Sequence, residues 1–332
     1  MVVTRAAAVV RRRTALAATP ERVRLSQMRA GIRHGRVSEN DVMTERPQLI
    51  AIAYRLLGSL SDAEDVVQEA YGRWYALSGR QRAAIDRPGA WLTTVASRIC
   101  LDLLGSARVR RERYTGEWIP EPVPSDSLAD PAELLLLDES ITMAFLVVCE
   151  SMTPAERVAF VLHDVFGYPF AEVASVLGRT SAACRQLATS ARRRLRPAPA
   201  PSPARSAAVV RAFKEAWEAK DIPGLVGLLD PSVVAVADGG GLASTVAHPV
   251  EGSELVARYT VQITERVPAM TLLERVVNGR PGLVMERDGV VETVLAFDVA
   301  AGGIRRIWAV RNPEKLRPWQ AAARYRPAGR HR

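Results

Sequence analysis

Acid and histidine side chains in the last third of the chain are the first candidates for chemistry. Asp238, His248, Glu251, Glu286 and Asp298 are of the types that transfer protons in active sites. None of them forms a recognisable catalytic pair at the level of sequence. An enzyme is therefore an alternative hypothesis here, and the expectation is that the chain performs no chemistry itself.

Metal and disulfide chemistry is also poorly supported. Cys100, Cys149 and Cys184 lie far apart in apolar helical segments, and the four histidines do not cluster with them. We therefore expect no disulfide framework, no metal site and no cofactor. The odd cysteine count fits a reducing cytoplasm, which is the expected location.

The positive charge of the chain favours nucleic-acid binding only at two local clusters of basic residues. The net charge is +9, with +6 in residues 1–42 and +5 in residues 317–332, so the rest of the chain carries −2. The basic groups that bear on nucleic-acid binding are two short clusters, in residues 108–113 and 192–196. No apolar run reaches the roughly 18 residues of a membrane span, so no membrane partner is expected.

One stretch near residue 60 predicts a helix with an acidic face. Ser61 followed by Glu64 has the spacing of a capping box at a helix start. The acidic side carries Asp62, Glu64, Asp65 and Glu69, and the opposite side carries Val66, Val67, Ala70 and Trp74. An acidic face suits a basic partner, although periodicity alone favours a solvated helix surface.

Helical patterning continues to about Arg113, with a break at residues 87–90. After that break, Trp91, Val95, Ile99 and Leu103 recur at helical spacing and are predicted to be core. Arg98 and Asp102 share the opposite side.

A second helical region has the pattern of a helix-turn-helix. Thr153 and Glu156 form a capping box, and Pro169 stands at the start of the following helix. That helix ends at Gly178, and a further helix over residues 181–195 carries polar groups outward and Leu187, Ala191 and Leu195 inward.

The remaining segments predict linkers and a third domain. Four prolines in residues 114–138 exclude a single helix, and alternating prolines in residues 197–203 predict an extended spacer. A helix over residues 207–220 is followed by strand-like runs at residues 232–237, 282–287, 290–299 and 304–310. With turns at Asp288-Gly289 and Gly302-Gly303, one helix and a meander of antiparallel strands predict an α+β cone.

Several phrases of the sequence resemble known proteins. Residues 54–59 and 62–69 closely resemble domain 2 of bacterial extracytoplasmic-function sigma factors. Trp118-Ile119-Pro120-Glu121-Pro122, Asp238-Gly239-Gly240-Gly241 and Asn312-Pro313-Glu314-Lys315-Leu316 resemble signatures of the subgroup with a SnoaL-like C-terminal extension. The resemblance implies a multidomain fold: two all-α sigma domains, of which domain 4 is the helix-turn-helix, and a SnoaL-like α+β cone.

The expected division of the chain is as follows: 1–43 a basic tail, disordered or a mis-assigned start; 44–113 domain 2; 114–138 a linker; 139–196 domain 4; 197–206 a proline-rich linker; 207–318 the SnoaL-like domain; 319–332 a basic tail.

The resemblance also implies roles for particular residues in promoter-specific initiation. Core RNA polymerase would be bound through its β′ clamp helices and β flap, with the β′ contact at Asp62, Glu64, Asp65, Gln68 and Glu69. The −10 promoter element would be bound by Arg98, Arg108, Arg110 and Arg111, and the −35 element by Arg185, Gln186, Thr189, Arg192 and Arg193. Regulation within the chain would use Trp118, Pro120, Pro122, residues 238–241 and residues 312–316.

The sequence departs from the family at two of these sites. Ser190 stands where many relatives carry a further arginine, and Leu242 follows the glycines where relatives usually carry lysine. Promoter affinity and any contact from residue 242 are therefore expected to differ. The alternatives to a sigma factor are a DNA-binding regulator gated by a small-molecule or protein signal at the C-terminal cone and, less favoured, an enzyme that uses that cone.

Overall fold

The computed structural model describes residues 42–112, 114, 116–124, 141–195, 201–246, 248–267 and 269–324. These residues form two compact units. The helical unit comprises residues 42–105 and 152–195, and the sheet unit comprises residues 106–124, 141–151 and 201–324. Among the helices in these ranges, none is long and apolar enough to cross a membrane.

The helical unit contains the two predicted helical regions. Its elements are α1 (Arg46–Leu57), α2 (Leu60–Ala76), α3 (Gly79–Ala83), most of α4 (Pro88–Glu112), α6 (Pro154–Phe160), a π-helical turn (Val161–Val165), α7 (Phe170–Leu177) and α8 (Ser181–Arg194). Buried side chains that include Leu49, Tyr54 and Trp74 form its core.

The start of α2 differs from the prediction. Its N-cap is Ser59, whose side chain accepts a hydrogen bond from the Asp62 amide at 3.2 Å, so the predicted Ser61–Glu64 capping box is wrong. Gly58 ends α1 in the left-handed conformation (φ 71°), and Ser59 follows directly in an extended one. Ser59, and not Ser61, therefore has the backbone that an N-cap requires.

The predicted core stripe of α4 is also displaced by one residue. Leu92, Ala96, Cys100 and Leu104 are buried, whereas the predicted Trp91, Val95, Ile99 and Leu103 are half-buried. Consecutive residues lie 100° apart on a helix, and both stripes are apolar. Spacing alone therefore did not distinguish them. The predicted exposure of Arg98 and Asp102 is confirmed.

The helix-turn-helix is confirmed. α6 begins with the Thr153–Glu156 capping box, Pro169 is the N-cap of α7, and Gly178 (φ 61°) ends α7. In α8, Cys184, Ala188 and Ala191 are buried, with Leu195 just after it, and Leu187 is half-buried.

The sheet unit is a mixed six-stranded sheet with both faces covered. Its strands are β1 (Leu229–Asp238), β2 (Val250–Glu251), β3 (Thr271–Val277), β4 (Arg280–Arg287), β5 (Val290–Ala300) and β6 (Gly303–Val310), in the order β2-β1-β6-β5-β4-β3. Its helices are α5 (Met143–Glu150), α9 (Pro203–Glu218), α10 (Ile222–Leu228), α11 (Ser253–Arg266) and α12 (Arg317–Arg324). This is the SnoaL-like α+β arrangement that the sequence predicted.

Two cores hold the sheet. On one face, α9, α10 and α11 pack through Phe213, Trp217 and Val256 on Val233 and Phe297. On the other, Ile119, α5 and α12 pack on residues that include Val294 and Trp308. The linker residue Ile119 and α5 therefore belong to the hydrophobic core of this unit.

The predicted antiparallel meander after a single helix is wrong in two respects. β1 pairs with β6 in parallel, and α10, α11 and β3 were not predicted. β3 joins β4 through Asn278-Gly279, both at positive φ (49° and 69°), which is a strong hairpin signal in the sequence. The predicted turn at Asp288-Gly289 is confirmed (φ 52° and 77°), as is a turn between β5 and β6.

The proline-rich spacer ends earlier than predicted. Pro203 is the first residue of α9, after Ser202 as N-cap, because proline is well tolerated in the first turn of a helix. Residues 1–41, 125–140, 196–200 and 325–332 lie outside the described residues. The predictions for the N-terminal tail, for most of the C-terminal tail and for much of the two linkers fall on these segments.

Candidate functional sites

The acidic face of α2 is formed as predicted. Val66, Val67, Ala70 and Trp74 are buried, which turns Glu64, Asp65, Gln68 and Glu69 to solvent. Asp62 is half-buried at the helix start. Glu69 forms an ion pair with Arg73 at 2.9 Å, one turn further on. The face presents several negative charges together and can bind a basic surface.

The segment between α2 and α4 contains a short helix, α3. Ser78 and Gln81 form a capping box at the start of α3, which carries Arg80 and Arg82. Arg87 pairs with Glu172 at 3.0 Å, and Arg98 donates to the Ser175 carbonyl at 2.7 Å. The predictions for Arg108, Arg110 and Arg111 fall outside the side chains that the structure describes.

The outer face of α8 gathers the residues predicted to bind the −35 element. Arg185, Gln186, Thr189, Arg192 and Arg193 are all exposed. The Thr189 hydroxyl donates to the Arg185 carbonyl at 2.9 Å, so its donor is used within the helix. Arg185 lies over the Phe170 ring, 5.3 Å from its centroid, and Arg192 forms an ion pair with Asp164 at 2.8 Å.

Two acids beneath α8 have shifted pKa values of opposite sign. Burial raises the pKa of the Asp164 carboxyl, although Arg192 opposes this. Burial would also raise the pKa of Glu156, but hydrogen bonds from Ser190 and Thr153 and the charge of Arg194 outweigh it, so that pKa lies below its ordinary value of 4.5. Ser190, the departure from the family pattern, donates to Glu156 at 2.7 Å. It therefore ties α8 to the capping box of α6.

The three signature phrases of the sheet unit meet at one buried carboxylate, Asp238. Its Oδ1 accepts from the Tyr114 hydroxyl at 2.6 Å and the Gly240 amide at 3.0 Å. Its Oδ2 accepts from the Ile119 amide at 2.9 Å and the Lys315 ammonium at 2.7 Å. Four donors therefore surround a fully buried charge, which is the condition for burying one at low cost. We call Asp238 and these partners the linker site.

Asn312 and Lys315 extend the linker site. Asn312 Nδ2 donates to the Tyr114 hydroxyl at 2.9 Å, and its Oδ1 accepts from the Glu314 amide at 3.0 Å. Lys315 Nζ also donates to the Ile119 carbonyl and lies over the Trp118 ring, 4.2 Å from its centroid. Burial and the bond to Asp238 raise the pKa of Tyr114, so its hydroxyl stays protonated as a donor.

The glycines of this site serve backbone geometry. Gly240 has φ 62°, and a Cβ there would lie 2.4 Å from Asn312 Nδ2. A Cβ on Gly239 would lie 2.1 Å from the Ala243 carbonyl oxygen. Gly241 also has a positive φ (73°), and Leu242 after it is exposed. The glycines thus permit a tight loop against the Asn312 phrase.

The rest of the linker is held at two further points. Trp319 donates its indole N–H to the Pro122 carbonyl at 2.8 Å. Asn278 exchanges hydrogen bonds with Val123, and Pro124 forms an isolated bridge with Val277 at the end of edge strand β3. Pro120 and Pro122 are buried, as is Leu316, whereas Pro313 and Glu314 are exposed.

Sequence reasoning missed Tyr114, Asn278 and Trp319 at this site. Trp319 lay in the segment interpreted as a basic tail, yet it is buried and belongs to α12. Its signal was an apolar side chain three residues after Leu316, at helical spacing.

The candidate proton-transfer residues do not form a catalytic group. Asp238 is saturated by the linker site, and Asp298 is buried against Arg305 at 2.8 Å. His248 and Glu251 are exposed, and Glu286 is half-buried at a bulge of β4.

Comparison with known proteins agrees with this arrangement. The models of "Sigma-70 region 2" and "Sigma-70, region 4" match residues 42–110 and 143–195. The chain is 40% identical over 296 residues to the ECF RNA polymerase sigma factor SigJ of Mycobacterium tuberculosis, covering 84% of this chain and 93% of the relative. It is 35% identical over 281 residues to the sigma factor SigI of that species, covering 83% and 93%.

A solved structure extends the likeness to the fold. The crystal structure of Mycobacterium tuberculosis SigJ superposes with a TM-score of 0.69 at 38% identity, covering 85% of this chain and 99% of that one. Regions 2 and 4 with a helix-turn-helix define a sigma-70-type promoter-recognition subunit. The chain belongs to the extracytoplasmic-function RNA polymerase sigma factors, in the subgroup with a SnoaL-like C-terminal extension, and directs promoter-specific transcription initiation by RNA polymerase.

Proposed function

We propose that each of the described sites makes a different contact during transcription initiation. The acidic face of α2 binds the β′ clamp helices of core polymerase, and the helix-turn-helix region approaches the β flap. The segment from α3 through α4, with Arg98, Arg108, Arg110 and Arg111, binds the melted −10 element. The outer face of α8 binds the −35 element in the major groove.

The sheet unit is proposed to regulate this activity by holding the linker that connects regions 2 and 4. The observation that carries this proposal is the convergence of all three signature phrases on Asp238. A linker fastened by a buried ion pair, an indole hydrogen bond and a strand bridge has few positions available to it. Because regions 2 and 4 must reach two promoter elements, a restrained linker changes how readily both are engaged.

The sheet unit is proposed to do this without catalysis. Support comes from the surroundings of the five candidates, four acids and one histidine. Asp238 is bound by four donors, Asp298 is paired with Arg305, and His248 and Glu251 are exposed. Phe213, Trp217 and Phe297 lie in the core between the helices and the sheet and make edge-to-face contacts there. Such packing favours a structural domain over an active site.

Two matched pairs of variants test the proposal, with core polymerase and promoters that the wild-type holoenzyme selects from a genomic library. Glu69→Lys combined with Asp65→Lys is expected to weaken core binding about tenfold or more, because reversed charges meet a basic partner. Glu254→Lys is the control, since Glu254 is an exposed glutamate paired with an arginine four residues on, as Glu69 is. Equal core affinities of the two would contradict the polymerase contact.

The regulatory part is tested by Lys315→Met, which removes the ammonium from the linker site. It is expected to change transcript yield per bound polymerase while core affinity stays constant. Lys214→Met is the control, because Lys214 makes an ion pair of similar length, 2.8 Å to Glu218, on the surface of α9. An unchanged yield from the Lys315 variant would contradict regulation through the linker site.

A further inference from the structure

The contacts of Arg185 differ from those of two other arginines on α8, Arg192 and Arg194. Arg192 is paired with Asp164, and Arg194 with Glu156 at 3.4 Å. Within the part of the chain that the structure describes, no carboxylate lies within ion-pair distance of Arg185. Its guanidinium instead lies over the ring of Phe170, 5.3 Å from the centroid.

The Phe170 ring is itself held in place. The His163 ring stacks on it, with centroids 3.7 Å apart and planes at 24°. His163 Nδ1 lies 2.8 Å from the Tyr168 carbonyl oxygen. Because a carbonyl only accepts, Nδ1 donates and the imidazole is fixed from its other side. The π-helical turn, the following loop and α7 thus combine to present one aromatic face to α8.

An aromatic face orients an arginine without neutralising it. The ring quadrupole attracts the guanidinium, but the ring carries no net charge. A carboxylate at the same place would offset part of the positive charge that attracts a DNA phosphate or a guanine edge. An unsupported arginine would instead lose more side-chain entropy when it bound a base.

We infer that Phe170 is a positioning residue for promoter recognition, which holds the Arg185 guanidinium ready for the −35 element, and that His163 fixes the ring. The inference rests on the proposed function of α8 and deepens it. It adds a residue from the first helix of the helix-turn-helix, which sequence reasoning assigned no role in DNA binding.

The test is a double-mutant cycle in the holoenzyme. The quantity measured is the ratio of affinities for a selected promoter duplex and for the same duplex with its −35 element replaced. Arg185→Ala is expected to lower this ratio about tenfold. Phe170→Leu keeps an apolar side chain but removes the aromatic face, and it is expected to lower the ratio about two- to fivefold. In the Arg185→Ala background, Phe170→Leu is expected to lower it no further.

Conservative and control variants separate positioning from folding. Phe170→Tyr restores an aromatic face and is expected to restore the ratio. Phe166→Leu removes a comparable aromatic contact, to Arg55 at 5.0 Å, and is expected to leave the ratio unchanged whatever it does to thermal stability. Phe170→Met replaces the leucine variant if that one does not fold.

The failures are distinguishable. If Arg185→Ala leaves the ratio unchanged, the proposed −35 role of Arg185 is wrong and the inference falls with it. If Arg185→Ala lowers the ratio but Phe170→Leu does not, only the inference is wrong. It is also wrong if Phe170→Leu lowers the ratio equally with and without Arg185, since Phe170 would then act through the fold.

Discussion

The linker site of the sheet unit and the base of the recognition helix α8 each contain a buried aspartate paired with a cation. Asp238 lies 2.7 Å from Lys315, and Asp164 lies 2.8 Å from Arg192. The cations differ: the Lys315 side chain is 11% exposed and the Arg192 side chain 42%. Asp238 also has three further donors, whereas in the described part of the chain the second oxygen of Asp164 is buried without a hydrogen-bond partner.

The difference in exposure distinguishes an ion pair that is enclosed within the chain from one whose cation remains accessible to a ligand. At the linker site the Asp238 carboxylate has four donors and the Lys315 ammonium two acceptors within the chain, so removing either charge leaves the other buried and uncompensated. At α8, Arg192 donates to the aspartate through Nε, and its side chain remains exposed to solvent. The two ion pairs are nearly equal in length, and they differ in how far the cation is buried. Under the proposed functions, that difference in burial distinguishes a structural ion pair from a DNA contact.

Asp238→Ala is expected to have the largest effect on stability. It leaves the Lys315 ammonium buried without its partner and removes the acceptor for Tyr114 and two backbone amides. We expect the free energy of unfolding of the sheet unit to fall by about 3–5 kcal/mol. Urea denaturation of the full chain, with hydrogen exchange at the amides of β1 and β6, measures this in the sheet unit.

Asp230→Ala is the matched control on the same strand. Asp230 is half-buried and accepts hydrogen bonds only from the amide and hydroxyl of Ser232 nearby. Its loss is expected to cost about 1 kcal/mol. Equal losses at the two positions would mean that the linker site stores no more stability than an ordinary turn.

How far the sequence predicts these sites depends on how local their causes are. The capping box at Thr153, the Gly178 C-cap and the Asp288-Gly289 turn involve neighbouring residues, and each was predicted correctly. The signature phrases around residues 118, 238 and 312 were recognised as one functional set. Their convergence on Asp238 was not predicted, because it joins residues more than 100 positions apart.

Other errors have the same origin. The displaced core stripe of α4 and the parallel pairing of β1 with β6 depend on which neighbour covers each surface. Tyr114 and Trp319 have unremarkable sequence surroundings and become functional candidates only through the partners that the fold gives them.

A smaller loss of stability is expected from alanine substitutions at two glycines. They test whether the linker site is rigid because the glycine loop lies close to Asn312, or because of backbone conformation alone. Gly240 and Gly279 have similar φ values, 62° and 69°, but a Cβ on Gly240 would overlap the Asn312 amide while one on Gly279 meets open space. Alanine at Gly279 is expected to cost about 1 kcal/mol from left-handed strain, and alanine at Gly240 about 1–2 kcal/mol more. The denaturation midpoints of the two variants give the comparison, and equal midpoints would argue that the glycine loop tolerates a side chain.

The smallest effect on stability is expected from the two acids beneath α8, Glu156 and Asp164. Their contributions to stability depend on pH in opposite directions. The folded-state pKa of Glu156 lies below 4.5, so its ionised form contributes stability that is complete above that pH and is lost as pH falls through the folded pKa. The folded-state pKa of Asp164 lies above 3.8, so its relative contribution is complete below that pH and is lost as pH rises through the folded pKa.

Glutamine and asparagine variants should therefore respond in opposite directions. Glu156→Gln keeps the capping geometry but loses the charge facing Arg194, and we expect it to be about 0.5–1 kcal/mol less stable than wild type at neutral pH. That deficit should shrink as pH falls below 4.5 and through the folded pKa of Glu156, because the wild-type carboxyl then loses its charge. Asp164→Asn should instead gain on wild type as pH rises above 3.8 and through the folded pKa of Asp164. Denaturant midpoints of the full chain at each pH measure both, and parallel pH profiles for the two variants would show that the acids under α8 have the same environment. Glu156 has donors on both oxygens and Asp164 on one. Parallel profiles would mean that this difference in hydrogen bonding does not change how the two carboxyls contribute to stability.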